Sequence, residues 1–288
     1  MEDRYPVRMT TNVSGSRLAI LGGIAGLLLV LVFLPAAVSA EEKSITISGS
    51  TTVLPIAASV AEAYMDKNPD IDVKVSGGGS GAGISAIGKK SVDIGMSSRT
   101  LKDDEKTSYP NLVVTPVAKD GVAIIVNPKN PVESLSLAQI QDIYAGTTKS
   151  WKDVGGNLEA YDIVGRDSAS GTREFFFNDV MEKADFTSSM LEKNSNGAVQ
   201  QLVSQTQTAI GYVGMGFEDG VKVLSLDVKG KKIKPTVESV KSGEYPLSRD
   251  LYFVTNGEPS GAAKDFITFL LSDDGQKIVE KEGFVSLQ

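Results

Sequence analysis

The chain has 288 residues, 41% of them hydrophobic and 23% charged, a globular balance with length enough for one large domain or two. It has no cysteine and no histidine, which excludes disulfides, thiolate nucleophiles, Cys-ligated zinc, Ser-His-Asp catalysis and the usual zinc-hydrolase sites. A formal net charge of −7 without a basic run argues against nucleic-acid binding, but not against a buried anion site, which depends on local donors rather than on distant, screened charge.

Arg4, Arg8 and Arg17 precede an apolar stretch over residues 18–34, and Pro35 and Ala36-Ala37-Val38-Ser39-Ala40 follow it. This order predicts an export signal cleaved after Ala40. The competing reading is an uncleaved N-terminal anchor, for which the stretch is at the short limit of a membrane span. No cysteine follows, so a lipid anchor of the usual bacterial kind is not available. The functional part is then residues 41–288, periplasmic or on the outer face of the cytoplasmic membrane. Its net charge is −8 once Arg4, Arg8, Arg17, Glu2 and Asp3 are removed.

Residues 44–48 alternate with period two and predict a strand. Residues 52–67 predict a helix capped by Ser50 or Thr51, with Pro55 in its first turn and Asn68-Pro69 as its stop. A strand over 71–75, a glycine-rich turn over 77–83 and a short helix over 84–90 follow. A third strand over 92–96 ends at Ser97-Ser98-Arg99. Residues 113–126 are a long apolar run, interrupted by Pro116 and Lys119-Asp120-Gly121; its length suits a strand leaving one domain for another. Beyond it come a helix over 137–144, a strand over 160–164 running into Gly165-Arg166, and a helix over 172–182 bearing Phe175, Phe176 and Phe177. A helix over 198–205, a strand over 210–213, a returning strand over 251–254 and helices over 262–271 and 276–282 complete the chain. Alternation of this kind predicts α/β layers with mostly parallel sheets, whose ligands sit beyond the carboxyl ends of the strands.

Three segments at such positions are alike in chemistry. They are Gly49-Ser50-Thr51-Thr52, Gly77-Gly78-Gly79-Ser80-Gly81-Ala82-Gly83 and Gly165-Arg166-Asp167-Ser168-Ala169-Ser170-Gly171-Thr172. A helix start with free amides, small hydroxyl side chains and glycines is suited to an anion. Each alone is also ordinary capping and turn chemistry. Two precede the 113–126 run and one follows it, which places one ligand between two domains. Arg166 offers bidentate, charge-assisted hydrogen bonds, Ser170 and Thr172 offer hydroxyls, and Gly171 and Thr172 offer amides. Thr51, Thr52 and Ser80 supply further hydroxyls. Arg99, beside Ser98, is either a second cation of the site or a surface partner of Asp103 or Asp104. Arg173 fits a helix-surface role and Trp151 packing or a partner face. Gly83-x4-Gly88-Lys89-Lys90 imitates a P-loop, but Lys90 stands where a Ser or Thr should hold magnesium. The serines have no histidine and no Ser-x-x-Lys pair to activate them.

Over nearly all of residues 44–288 the chain resembles the phosphate-binding proteins of high-affinity phosphate ABC importers. The resemblance rests on the three segments above, on Val92-Asp93-Ile94-Gly95-Met96-Ser97-Ser98-Arg99, on Ile140-Gln141-Asp142-Ile143-Tyr144-Ala145-Gly146, on Ala209-Ile210-Gly211-Tyr212-Val213-Gly214 and on Ser272-Asp273-Asp274-Gly275-Gln276. It implies a two-lobed α/β fold of the type II periplasmic-binding-protein kind, with the ligand cleft between lobes joined by crossover strands. Lobe I would be 44–120 plus 248–288, and lobe II 121–247. The implied phosphate ligands are Thr51, Thr52, Ser80, Ser98, Arg99, Arg166, Ser170, Gly171 and Thr172, with Asp167 orienting Arg166. The implied protein is a monomeric receptor without cofactor, metal or catalysis, delivering inorganic phosphate to a membrane permease and its ATPase. The best-known members carry an aspartate where this chain has Ser98; that carboxylate accepts the proton of hydrogen phosphate and repels sulfate. Here Ser98-Arg99 stands, as in another branch of the family, which leaves discrimination against sulfate open. Rival readings are a receptor for sulfate, molybdate or tungstate, a secreted phosphatase-type enzyme, and a structural surface protein that keeps the fold without the ligand.

Overall fold

The computed structural model describes residues 43–288; the export-signal and anchor readings lie outside the described residues. Among the described residues no helix is long and apolar enough to cross a membrane. The strand β1 (Lys43–Gly49), α1 (Leu54–Lys67), β2 (Ile71–Ser76), α2 (Ser80–Gly88), β3 (Ile94–Ser97) and α3 (Asp103–Ser108) lead into the long β4 (Leu112–Val126). Then come β5 (Ser134–Ser136), α4 (Leu137–Ala145), a 3₁₀ turn (Trp151–Val154), β6 (Asp162–Arg166), α5 (Gly171–Asp179), β7 (Leu191–Lys193), α6 (Asn196–Gln205) and β8 (Ala209–Gly214). Short strands β9 (Lys222–Val223), β10 (Ser225–Val228) and β11 (Lys231–Ile233) and helix α7 (Val237–Lys241) precede β12 (Ser248–Asn256), α8 (Gly261–Leu271) and α9 (Asp273–Lys281).

The main sheet runs in the order β2-β1-β3-β12-β4-β8-β6-β7, and β5, β10 and β11 make a small second sheet. β4 is continuous across the predicted interruptions. Its residues 112–121 pair with β12 and its residues 122–126 with β8. Pro116, which has no N–H to give, is accommodated by a register shift between Leu251 and Tyr252 on β12. The expectation of mostly parallel sheets needs correction. β1 runs parallel to β2 and β3, and β6 parallel to β7 and β8, but β12 is antiparallel to β3 and β4, and β4 to β8. A chain that passes between sheet halves on one strand and returns on another must oppose its neighbours at the crossing.

The core on the β1 side combines Ile45 and Ile47 with Ile56, Ala57, Val60 and Tyr64 of α1, and Tyr64 meets the Phe266 ring edge-on at 5.3 Å. On the other side, Tyr144, Phe176 and Tyr212 form an aromatic cluster, with Phe176 stacked on Tyr212 at 4.1 Å. Trp151 is fully buried and its indole N–H donates to Thr208 O (2.9 Å), so it packs rather than facing a partner.

The three hydroxyl-rich segments each connect a strand to a helix, but several boundaries differ from expectation, those of α2 and α5 among them. α2 begins at Ser80 rather than 84, because Gly79, at φ +94, adopts a capping conformation that lets the helix start at once. Ser80 is therefore a first-turn helix residue, not a loop residue. α5 ends at Asp179 rather than 182, and Glu182 and Lys183 have positive φ.

Candidate anion-binding site

The hydroxyl-rich helix starts converge where β1, β3, β6 and β12 end or cross. Ser50 Oγ accepts the amides of Thr52 (3.2 Å) and Val53 (3.4 Å), which sets the turn into α1 and leaves the Thr51 and Thr52 hydroxyls for other work. Ser170 Oγ accepts the Arg173 amide (3.1 Å) and caps α5. The amides of Gly171 and Thr172, at the first two positions of α5, have no acceptor within their helix. Gly171 is required by close approach. A methyl group there would stand 2.3 Å from Ser80 Oγ and 2.7 Å from Ser98 Oγ. The two serines are joined, with 3.3 Å between their hydroxyls and the Ser98 amide donating to Ser80 Oγ (3.0 Å). Gly81 N–H also donates to Ala169 O (3.0 Å), so α2 and the loop before α5 touch directly.

Arg166, at the end of β6, is 1% exposed. Its amide donates to the Tyr212 hydroxyl (3.1 Å). Nε donates to Lys193 O (3.2 Å), and Nη2 to Asn194 O (3.2 Å) and Thr51 Oγ1 (3.1 Å). Nη1 is buried with no hydrogen-bond partner. Burial lowers this guanidinium's pKa to about 10, with Asp167 and Tyr212 opposing that shift and the positive charge of Arg249 adding to it. Burial likewise pushes the Tyr212 hydroxyl up to about 12, so it stays neutral while accepting from Arg166.

Three residues that the sequence alone did not single out complete the cluster. Asn196, the first residue of α6, donates from Nδ2 to Thr52 Oγ1 (2.9 Å) and Thr51 Oγ1 (3.2 Å) and accepts the Gly214 amide (3.3 Å). Arg249, on β12, donates from Nε (2.9 Å) and Nη2 (2.7 Å) to Asp120 Oδ2. Nη2 also donates to Thr172 Oγ1 (3.0 Å) and Thr52 Oγ1 (3.4 Å). Asp120, directly opposite on β4, is fully buried, and its Oδ1 accepts the Met215 amide (3.0 Å). Thr52 and Thr172 complete the ring, their hydroxyl oxygens 3.1 Å apart.

The structure thus brings Thr51, Thr52, Ser80, Ser98, Arg166, Ser170, Gly171 and Thr172 into one buried cluster. Arg99 is differently employed. Its Nη1 and Nη2 make a two-pronged pair with Glu105 (2.7 and 2.6 Å), not with Asp103 or Asp104, Nη1 also donates to Thr100 O (2.8 Å), and no hydrogen bond among the described residues joins it to Thr51, Thr52 or Thr172. Glu105 is held below the usual carboxylate range: its hydrogen bonds to Arg99 and the Lys102 amide outweigh the upward push of burial. Arg99 instead lines, with Ser98, Phe175 and Arg249, an open cleft of about 680 Å³ beside the cluster. Asp167 does not hydrogen-bond Arg166. Its Oδ1 accepts the Ala169 amide (3.1 Å), and it acts on Arg166 only through its charge. Arg173 donates from Nη1 to Glu192 Oε1 (2.6 Å) and to the carbonyl of Arg166, and lies over the face of Phe186, so it braces the β6 end from outside the cluster.

Two buried cations, one buried carboxylate, three hydroxyl-bearing helix starts with the Asn196 carboxamide beside them, and a strand-crossed α/β sheet define the class. The chain belongs to the PBP superfamily, whose domain model matches residues 34–274. Within it, the chain belongs to the family of phosphate-binding proteins called PstS. That of Bacillus subtilis (strain 168) is 36% identical over 249 residues, covering 85% of this chain and 82% of the relative. That of Staphylococcus saprophyticus is 34% identical over 255 residues, with 83% and 79% covered. Among solved structures, a putative phosphate ABC transporter substrate-binding protein with bound phosphate from Clostridium perfringens superposes with a TM-score of 0.79 at 36% identity, covering 85% of this chain and all of the other. An ABC-type phosphate transport receptor from Vibrio cholerae gives a TM-score of 0.69 at 35% identity, with 84% and 99% covered. The fold is accordingly the two-lobed one that the sequence resemblance implies.

Proposed function

We propose that the protein is an extracytoplasmic receptor that captures inorganic phosphate and presents it to the permease and ATPase of an ABC importer. The observation that carries this reading is the buried, unpartnered Nη1 of Arg166, beside Thr51 and within one cluster with the free amides that open α5. A buried cationic donor without an acceptor is costly unless a ligand completes it. The relatives' phosphate-binding names and the phosphate in the Clostridium perfringens structure support the same chemistry.

In this reading lobe I is 44–120 with 248–288 and lobe II is 121–247. The exchange of β4's partners after Gly121 is the natural pivot. Thr51, Thr52, Ser80 and Ser98 approach the anion from lobe I, and Arg166, Ser170, Gly171 and Thr172 from lobe II. Closure excludes water and strengthens each polar contact. Charge-assisted hydrogen bonds contribute about 1.5–3 kcal/mol each. A few of them offset desolvation and closure costs and leave about −8 kcal/mol, which is micromolar binding. The serine hydroxyls face each other rather than a base, which supports binding without turnover.

Calorimetry with phosphate, sulfate and molybdate at neutral pH tests the reading. Phosphate should bind at micromolar concentration or tighter. Tighter sulfate or molybdate binding, or turnover of a phosphate monoester, would overturn it.

A further inference from the structure

We infer that Arg249 is a second anion-binding guanidinium of this site, aimed from the crossover strand β12 by Asp120. The inference rests on the phosphate reading and goes beyond the residues selected from the sequence.

Four observations carry it. First, Arg249 is 9% exposed and stands within the threonine ring, its Nη2 reaching both Thr52 and Thr172. Those two threonines open α1 and α5, the helices that approach from opposite halves of the sheet. Second, its Nη1 is buried and unpartnered, as is that of Arg166. The ion pair does not account for that donor, because Asp120 takes only the Nε and Nη2 edge. Third, Asp120 has both oxygens engaged, Oδ2 by Arg249 and Oδ1 by the Met215 amide. It fixes the plane of the guanidinium, and therefore where Nη1 points, without offering a free oxygen to the site. Fourth, Arg249 lies close enough to Arg166 for its charge to be felt there. Two like charges brought together in a buried cluster repel each other, and a multiply charged anion between them removes that repulsion.

The chemical consequence concerns charge. Arg249 also lines the open cleft that adjoins the cluster at Ser98. An incoming oxyanion therefore meets Arg249 on the cleft side and Arg166 on the inner side, and the site offers a tetrahedral ion two guanidinium edges, the charge of one already balanced by Asp120. Ser98 contributes a hydroxyl there and no negative charge.

The test is calorimetry with inorganic phosphate on the full mature chain, its Arg249→Lys variant and an Asp120→Asn/Arg249→Gln double variant. Lysine keeps a charge for Asp120 and so spares the buried pair, but loses Nη1; the double variant removes both charges at once, so neither is left unpaired. Thermal melting without phosphate separates fold from binding. Both variants should bind phosphate about 10- to 100-fold more weakly, the loss of one charge-assisted hydrogen bond, and should lose most of the phosphate-induced rise in melting temperature. Binding within about twofold of the parent by both variants would overturn the inference and leave the phosphate reading intact. Absence of phosphate binding by the parent chain would overturn the phosphate reading, and this inference with it.

Discussion

Replacing Gly171 by alanine tests the closure geometry with a single methyl group. The new Cβ would lie 2.3 Å from Ser80 Oγ, 2.7 Å from Ser98 Oγ and 2.9 Å from Ser80 Cβ, where ordinary contacts begin near 3.4 Å. Gly171 has no positive φ, so alanine meets no backbone penalty and the conflict lies wholly between α5 and the Ser80–Ser98 pair. Ser80 and Ser98 are both at most 1% exposed, so neither side chain can swing into open solvent. The two sides must therefore separate by about 1 Å. A hydrogen bond at about 2.9 Å does not survive that displacement. At least one charge-assisted bond of about 1.5–3 kcal/mol is lost, which predicts phosphate binding weaker by about 10- to 100-fold. Because the atoms nearest the new methyl group belong to Ser80 and Ser98 and to no residue of the hydrophobic core, the melting temperature without phosphate should move by no more than about 3 °C. Calorimetry and a thermal melt measure both quantities. Wild-type affinity in Gly171→Ala would refute the claim that these helix starts close on the ligand. A collapse of the melting temperature would show that the glycine serves the fold instead.

Other substitutions probe the remaining chemistry. Arg166→Ala should weaken phosphate binding by at least about 100-fold while circular dichroism stays native, since the unpartnered Nη1 donor and the guanidinium charge are removed together; retained binding would displace Arg166 from the site. Ser98→Asp puts a carboxylate beside Ser80 and should lower the sulfate-to-phosphate affinity ratio by at least about tenfold, because a fully deprotonated oxyanion is repelled and a protonated one can donate. An unchanged ratio in competition calorimetry would show that Ser98 does not face the anion. Glu218, which feels the charge of Asp120 but touches none of the proposed phosphate ligands, provides a pH test. Burial raises its carboxyl to about 7, so the folded chain holds that proton more tightly than the unfolded chain. Its contribution to stability is present at acid pH and is lost as pH rises from about 4.5 to about 7. Glu218→Gln should flatten the slope of urea-unfolding free energy across that window, and an unaltered slope would remove Glu218 as the cause.

The order of strands and helices was legible wherever period-two runs, capping residues and glycines agreed, as from β1 to β3. The direction of pairing was not, because nothing local in the 113–126 run or in 251–254 says that each lies antiparallel beside the other. β12 starts three residues before the apolar 251–254 run that marks it, so Arg249 lay in an apparent loop. Of the site, the residues carried by Ser/Thr/Gly helix starts were legible because capping and anion binding draw on the same residues. Ser195-Asn196-Gly197 has the same character and marks the start of α6, so Asn196 had a signal. Asp120 had a weaker one, a carboxylate inside a long apolar strand, which is buried only when paired. Its partner was out of reach, since Arg249 meets it across 129 residues. Arg99 misled in the opposite direction. Adjacency to Ser98 suggested the site, whereas the capping geometry of α3 brings Glu105 to its guanidinium.

The place of β12 in the sheet bears on the order of folding. It comes after β5 to β11 in the chain, yet it lies between β3 and β4 and supplies Arg249. Until it arrives, β3 and β4 each have a bare edge, Asp120 has no counter-charge, and the two halves are tied only by a single strand. Pairing over such sequence separations is slow, because the loop must close before any contact rewards it. The cavity is thus completed only when β12 docks between β3 and β4, and final shape and affinity arrive together in that step.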